Sequence, residues 1–330
     1  MSSLNNMAKI INLNYRKSFS ISPVPPYSFD TTIHKPSHFT SSDNEWAKGK
    51  YWITMLWRDK VLGLKLEDKG TQNKPKIQIT IYSEKPLTKE YIDSLIPELK
   101  HRFNTESDIS EFIKISKKDK VLAPLIKKWG AMRPVAANSL YETLIIYIVL
   151  QNATVRRTHQ MLENIFNKFG KKVKFDGKTL STFWNPSKMA KTSEEDLRKL
   201  KLGYRAKFLK RISEQFANGE IDEYKLRKLS GEEARKEALK LYGIGKASVE
   251  YLLFEDFYHY DALETIPPWE QKILSMLMYK KKLVSTTKIL KDIKKRYGKW
   301  QKLAVHYIWE DIFWRRKTEQ IDWLEKEIRL

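Results

Sequence analysis

The stretch Leu241-Tyr242-Gly243-Ile244-Gly245-Lys246-Ala247-Ser248-Val249-Glu250-Tyr251 decides the fold. Two glycines flank one apolar residue between two helical segments. Glycine tolerates positive φ and lets another backbone come close. A tight turn of this kind that opens a helix leaves several amides free at the helix start. Those amides, with the positive end of the helix dipole, form a place for a phosphate. Shortly after it, Pro267-Pro268-Trp269-Glu270-Gln271-Lys272-Ile273 puts a lone carboxylate, Glu270, at the start of an apolar helix. A phosphate grip followed by a carboxylate points to chemistry on a nucleotide held by its backbone. Glycines that only pack a helical corner are the plain alternative.

The charge balance agrees. The chain of 330 residues carries 62 Lys and Arg against 40 Asp and Glu, a net charge of +22. The excess runs along most of the chain, which fits a polyanionic partner. There is no cysteine. Disulfides, thiolate zinc sites, a cysteine nucleophile and a cysteine-bound iron–sulfur cluster are therefore excluded. The six histidines are scattered without metal-binding spacing. The longest apolar run, Leu144–Leu150, falls well short of the roughly 20 residues of a membrane span. The N-terminus lacks the pattern of a signal peptide. An intracellular protein with no membrane partner is expected.

Two architectural segments follow from periodicity. Residues 1–20 read as a loose tail with room for one short strand. Tyr51–Trp57, Val61–Glu67 and Lys76–Tyr82 show the period-two pattern of half-buried antiparallel strands. Leu87–Phe103 reads as a helix packed on one face of that sheet. From about Ser107 the apolar spacing changes to three and four. Helices are expected over Ile109–Ile115, Asp119–Lys128, Leu140–Gln151, Val155–Phe169 and on through Leu303–Phe313. The fold class is α+β: a tail over 1–20, a small antiparallel sheet domain over 21–104, and a large all-helical domain over 105–330.

Two further turns carry chemistry. The buried helix over Tyr141–Gln151 ends in Gln151-Asn152-Ala153-Thr154-Val155-Arg156-Arg157. Its amides can enter a duplex and pair with an orphaned base, and its arginines can meet phosphates. A helix break with a solvated basic face is the plain alternative. Leu202-Gly203-Tyr204-Arg205-Ala206-Lys207 is a second compact turn leading into a basic helix.

In this order, these pieces resemble the helix–hairpin–helix (HhH-GPD) glycosylases of base excision repair. The resemblance rests on Gln151–Thr154, Gly203–Lys207, Leu241–Gly245 and Pro268–Glu270, and covers roughly residues 105–315. With a sheet domain ahead, the layout is similar to 3-methyladenine and 8-oxoguanine glycosylases. The resemblance implies a substrate of double-stranded DNA with a damaged base, acted on by a monomer without a required cofactor. It implies that Gly243, Gly245, Lys246, Ser248, Gln151, Asn152, Arg156 and Arg205 meet DNA. It also implies a Na⁺ or K⁺ on the carbonyls of Leu239, Leu241 and Ile244. Glu270 would stabilise charge on the sugar, with Asp261 as the backup carboxylate. Trp269 and Trp129 would wall the base pocket and stack on a cationic, alkylated purine. Glu255, Asp256 and Glu264 read as exposed helix charges.

Two departures from the family pattern stand out. Its usual carboxylate is Asp, whereas this chain has Glu270. Its lyase lysine lies two residues beyond the second hairpin glycine, where this chain has Ala247. Lys246 is one residue early, turned by about 100° on a helix. A monofunctional hydrolase is expected. A bifunctional 8-oxoguanine glycosylase/lyase using Lys246 and a non-catalytic DNA-binding module are the rivals.

Overall fold

A computed structural model describes residues 10–38 and 41–327. Its strands are β1 (Ile10–Asn12), β2 (Tyr15–Ile21), β3 (Asn44–Ala47), β4 (Lys50–Trp57), β5 (Lys60–Asp68), β6 (Ile77–Ser83), β7 (Lys172–Phe175) and β8 (Lys178–Ser181). Five of them form an antiparallel sheet in the order β2-β6-β5-β4-β3. Leu62, Leu64 and Leu66 of β5 and Ile77, Ile79 and Ile81 of β6 are buried. They pack on Leu95, Leu99 and Phe103 from the helix Lys89–Arg102 and its end. The alternation seen in the sequence is thus the core face of the sheet.

The opposite face is not bare, as a sheet covered on one side would leave it. The β7–β8 hairpin, inserted in the helical part of the chain, covers part of it. Trp52, Tyr82, Val173, Phe175 and Leu180 form a small buried cluster there. A Cβ at Gly63 would stand 2.6 Å from the Phe175 ring, so only glycine fits beneath it. Asp176, in the hairpin turn, accepts hydrogen bonds from Trp52 Nε1 at 2.7 Å and Tyr82 Oη at 2.9 Å. β1 pairs in parallel with β7. Residues 10–20, expected as tail, are therefore largely strand and join the two halves of the chain; residues 1–9 lie outside the described residues.

The helical part holds two buried clusters. One gathers Leu140–Val149, the Val155–Phe169 helix and the segments around Leu209 and Leu241. The other gathers Ile109–Met132 with the helices Pro268–Tyr279, Thr286–Tyr297 and Gln301–Thr318. The helix Lys246–Glu255 joins them. Its Val249, Leu252 and Leu253 belong to the first cluster and Phe254 to the second. The seam between the clusters thus falls at the C-terminal end of this helix, one helix length from its start. No described helix is long and apolar enough to cross a membrane.

Candidate DNA-facing surface and base cavity

The Gly243–Gly245 turn is built as its sequence demands. Gly243 has φ +82°, and a Cβ there would lie 2.9 Å from Phe208. Gly245 is extended, caps the helix Lys246–Glu255 without a side chain, and has open space where a Cβ would go. The first helical hydrogen bond runs from Val249 N–H to the Gly245 carbonyl at 3.0 Å. The amides of Lys246, Ala247 and Ser248 therefore have no acceptor within the helix. Lys246 is exposed at the helix start and Ser248 is half-buried. Ile244 N–H donates to the Leu241 carbonyl at 3.2 Å, while the carbonyls of Leu239 and Ile244 accept no backbone amide among the described residues.

Tertiary contacts bring the other two turns to the same place. Gln151 Nε2 donates to the Gly243 carbonyl at 2.7 Å. Tyr204 Oη donates to the Gln151 carbonyl at 3.3 Å and accepts from Asn152 Nδ2 at 3.4 Å. Phe208 packs edge-on against both Tyr204 and Tyr242. Arg205 is buried and donates to the Gln151 carbonyl, so it braces the turn and does not face outward. Asn152 and Arg156 are exposed beside it, as are Val155, Tyr204 and Tyr242. The tyrosines are members of this surface that sequence reading missed. An exposed tyrosine beside a helix N-terminus was the signal.

Glu270 lies in the first turn of the helix Pro268–Tyr279 and is only 2% exposed. Trp309 Nε1 donates to its Oε1 at 2.6 Å. Burial pushes its pKa up, and Lys302 and the Trp309 hydrogen bond pull the other way. Trp269 is 38% exposed, and its ring centroid lies 4.6 Å from that of Trp309. These two indoles close one side of a cavity of about 200 Å³. Tyr251, Phe254 and Phe313 supply further aromatic walls, and Lys302, Glu255, Glu310 and His306 the polar lining. Tyr251 lies six residues beyond Gly245, about 9 Å along the helix axis.

Several expected residues fall elsewhere. Trp129 is buried, donates to Asp311 Oδ1 at 3.2 Å and packs edge-on against Trp314; it does not line the cavity. Asp261 is exposed, and its carbonyl takes a hydrogen bond from Gln301 Nε2 at 2.6 Å. Lys246 stays outside the cavity. Asp256, read as an exposed charge, is buried with its pKa pushed well up by desolvation. Glu255 turns toward Tyr147, whose hydroxyl donates to Oε2 at 2.9 Å, and lines the cavity. Glu264 is exposed as expected. The helix Gln301–Thr318 supplies most of the cavity wall, yet nothing in its sequence marks it. Its apolar and polar residues are mixed around the whole circumference because every residue from Gln301 to Ile312 is buried.

Known proteins carry the same layout. The chain is 21% identical over 242 residues to the DNA-3-methyladenine glycosylase of Bacillus subtilis (strain 168), spanning 73% of this chain and 80% of that protein. Its fold matches the 3-methyladenine DNA-glycosylase from Archaeoglobus fulgidus with a TM-score of 0.69 at 14% identity, over 89% of this chain and 99% of that one. It also matches the Clostridium acetobutylicum 8-oxoguanine glycosylase/lyase, solved with double-stranded DNA containing cytosine opposite 8-oxoG. There the TM-score is 0.62 at 22% identity, over 84% and 88% of the two chains. The sheet-then-helices architecture and the base-excision glycosylase family expected from the hairpin are those found. With the family's sequence model matching residues 145–327, the chain belongs to the HhH-GPD superfamily of base excision DNA repair proteins.

Proposed function

We propose that this protein is a DNA N-glycosylase that takes an alkylated purine into the cavity beside Trp269 and Trp309 and hydrolyses its N-glycosidic bond with Glu270. The observation that carries the reading is a carboxylate buried behind an aromatic cavity, one helix away from a phosphate-binding turn. A base cannot be reached inside a duplex, so its nucleotide must be flipped out. The free amides of Lys246–Ser248 hold a backbone phosphate. Asn152, the exposed amide, enters the gap, while Gln151 holds the hairpin in place.

Trp269 packs on Trp309, the indole that holds Glu270, and its exposed ring is the part that an entering nucleotide shifts. Glu270 then faces the sugar. Its negative charge stabilises the oxocarbenium ion and orients the attacking water. An alkylated purine is already cationic and leaves without a strong general acid. Aromatic faces favour such a base. One chain supplies every part of the site, which supports action as a monomer. The unshared oxygens of Leu239 and Ile244, with that of Leu241, fit a Na⁺ or K⁺ beside the phosphate. Action on DNA fits an intracellular protein.

The exposed position of Lys246 favours water over lysine as the nucleophile. One observation supports the lyase reading by a different residue: Lys302 brings an amine to the cavity wall. Borohydride trapping on lesion DNA separates the two. A covalent adduct lost in Lys302→Gln but kept in Lys246→Gln would favour the lyase.

The decisive experiment is single-turnover base release by Glu270→Gln, beside Asp261→Asn and with matched binding curves. Loss of release with retained DNA affinity in Glu270→Gln alone is expected. Loss in Asp261→Asn instead would move the role to Asp261. No release by the unaltered protein from any lesion in a panel would leave a DNA-binding module.

A further inference from the structure

Glu310 lines the cavity, its side chain is 4% exposed, and the family pattern assigns it nothing. It is held from outside the helical part of the chain. Ser37 donates its backbone N–H to Oε2 at 2.9 Å and its hydroxyl to Oε1 at 2.7 Å. A carboxylate that accepts on both oxygens is bonded as its ionised form. Among the described residues, the one basic side chain within 4 Å of it is His306, with Nδ1 3.8 Å from Oε1. Burial keeps that imidazole neutral, its pKa well below the ordinary value. Burial pushes the pKa of Glu310 up, while the field of Lys35 and the two Ser37 hydrogen bonds pull the other way; among the described residues no lysine or arginine stands within ion-pair distance of it. A buried carboxylate without a cation is costly. This one lies on the wall of the aromatic cavity, between Trp309 and Phe313 on the same helix.

We propose that Glu310, clamped by Ser37, is the specificity-determining residue that makes this cavity prefer a positively charged base over a neutral one. The missing cation is then supplied by the substrate, and the aromatic walls add to the same preference. Glu255 in the same lining reinforces the negative field, while Lys302 tempers it. Ser37 couples the sheet domain to base choice, since it holds both oxygens in one orientation. The inference rests on the glycosylase reading above.

The test is single-turnover release from two duplexes alike except for one base: 7-methylguanine, which is cationic, and hypoxanthine, which is neutral. The unaltered protein should prefer the cation. Glu310→Gln keeps the shape and removes the charge. It should lower release of 7-methylguanine roughly ten-fold more than release of hypoxanthine, as expected for a lost interaction with a charged group. Ser37→Ala should shift the ratio in the same direction by less. If Glu310→Gln proves unfolded by circular dichroism, Ser37→Ala decides. An equal fall on both bases, or a starting preference for hypoxanthine, would overturn the proposal. If the unaltered protein releases hypoxanthine not at all, the fall on 7-methylguanine alone must reach about ten-fold with affinity for abasic DNA kept. Release of neither base, with release of another lesion from the panel, would overturn this inference alone; release of no lesion would overturn the glycosylase reading and this inference with it.

Discussion

Trp309 Nε1 and Glu270 Oε1 lie 2.6 Å apart, with the carboxylate residue only 2% exposed, so one indole holds the carboxylate and also walls the cavity. A hydrogen bond to the ionised form of an acid favours that form. Desolvation pushes the other way and is the stronger effect on Glu270. Trp309→Phe should therefore raise the pKa of Glu270 further. If Glu270 works ionised, the acid limb of the rate profile lies above the ordinary carboxylate range and moves higher still in Trp309→Phe. Single-turnover rates across pH check this, and an unmoved limb would separate Trp309 from the carboxylate.

The same burial has a consequence for stability. Because the folded-state pKa of Glu270 is raised, the folded chain binds a proton more tightly than the unfolded chain does. The contribution of Glu270 is greatest at low pH and is lost as pH rises through its folded pKa. At neutral pH Glu270→Gln should hold or raise the melting temperature while removing activity, as happens when a function-serving strained group is replaced. Thermal unfolding at two pH values tests the sign. A clear drop in melting temperature at neutral pH would contradict it.

Gly243 and Gly245 should respond differently to alanine. Gly243 sits at φ +82° with Phe208 in the way, so Gly243→Ala should lose about 1–2 kcal/mol from backbone strain, with packing adding to it. Gly245 has ordinary backbone angles and open space. Gly245→Ala should fold normally and bind DNA more weakly, because the added methyl meets the phosphate instead of the protein. Urea unfolding and fluorescence titration with a labelled duplex distinguish these. Full affinity in folded Gly245→Ala would reduce the turn to a helical corner.

Binding to DNA should depend steeply on salt. With about four to six phosphate contacts, the slope of log affinity against log salt is near −4 to −5. A slope near zero would show that the +22 charge is not used on a nucleic-acid backbone.

The halves of the chain are also locked by charge. Glu98 on the helix Lys89–Arg102 pairs with Arg102 at 2.7 Å and with Arg227 at 2.6 Å. Burial raises its pKa, but the two arginines more than offset this and hold it at about 2. Its stability contribution is thus complete above the unfolded value and disappears as pH falls toward 2. Glu98→Gln should cost about 3–5 kcal/mol at neutral pH, since it leaves buried arginines underpaired. The variant should lose less stability than the parent on acidification. Parallel acid-unfolding curves would speak against the lock.

Much of this was legible in the residues because it depends on neighbours in sequence. Alternation in β5 and β6 marked a sheet face. Three-and-four spacing marked the long helices, and the two glycines Gly243 and Gly245 marked a tight turn that opens a helix. The β7–β8 hairpin was overlooked although Asp176-Gly177 is a strong turn signal. Its strands are only four residues each. β1 and β2 gave little periodic pattern because most of their side chains are exposed.

Local spacing by itself placed Glu270 at a helix start and Gly245 at another. It could not say which aromatic residues face the carboxylate, because Trp129 and Trp309 look alike in sequence and only packing sends one to Asp311 and the other to Glu270. Nor could it show that Arg205 turns inward or that Ser37 crosses to Glu310. Those outcomes join residues 54 and 273 positions apart, and they are set by how two helical clusters and a sheet close around one seam.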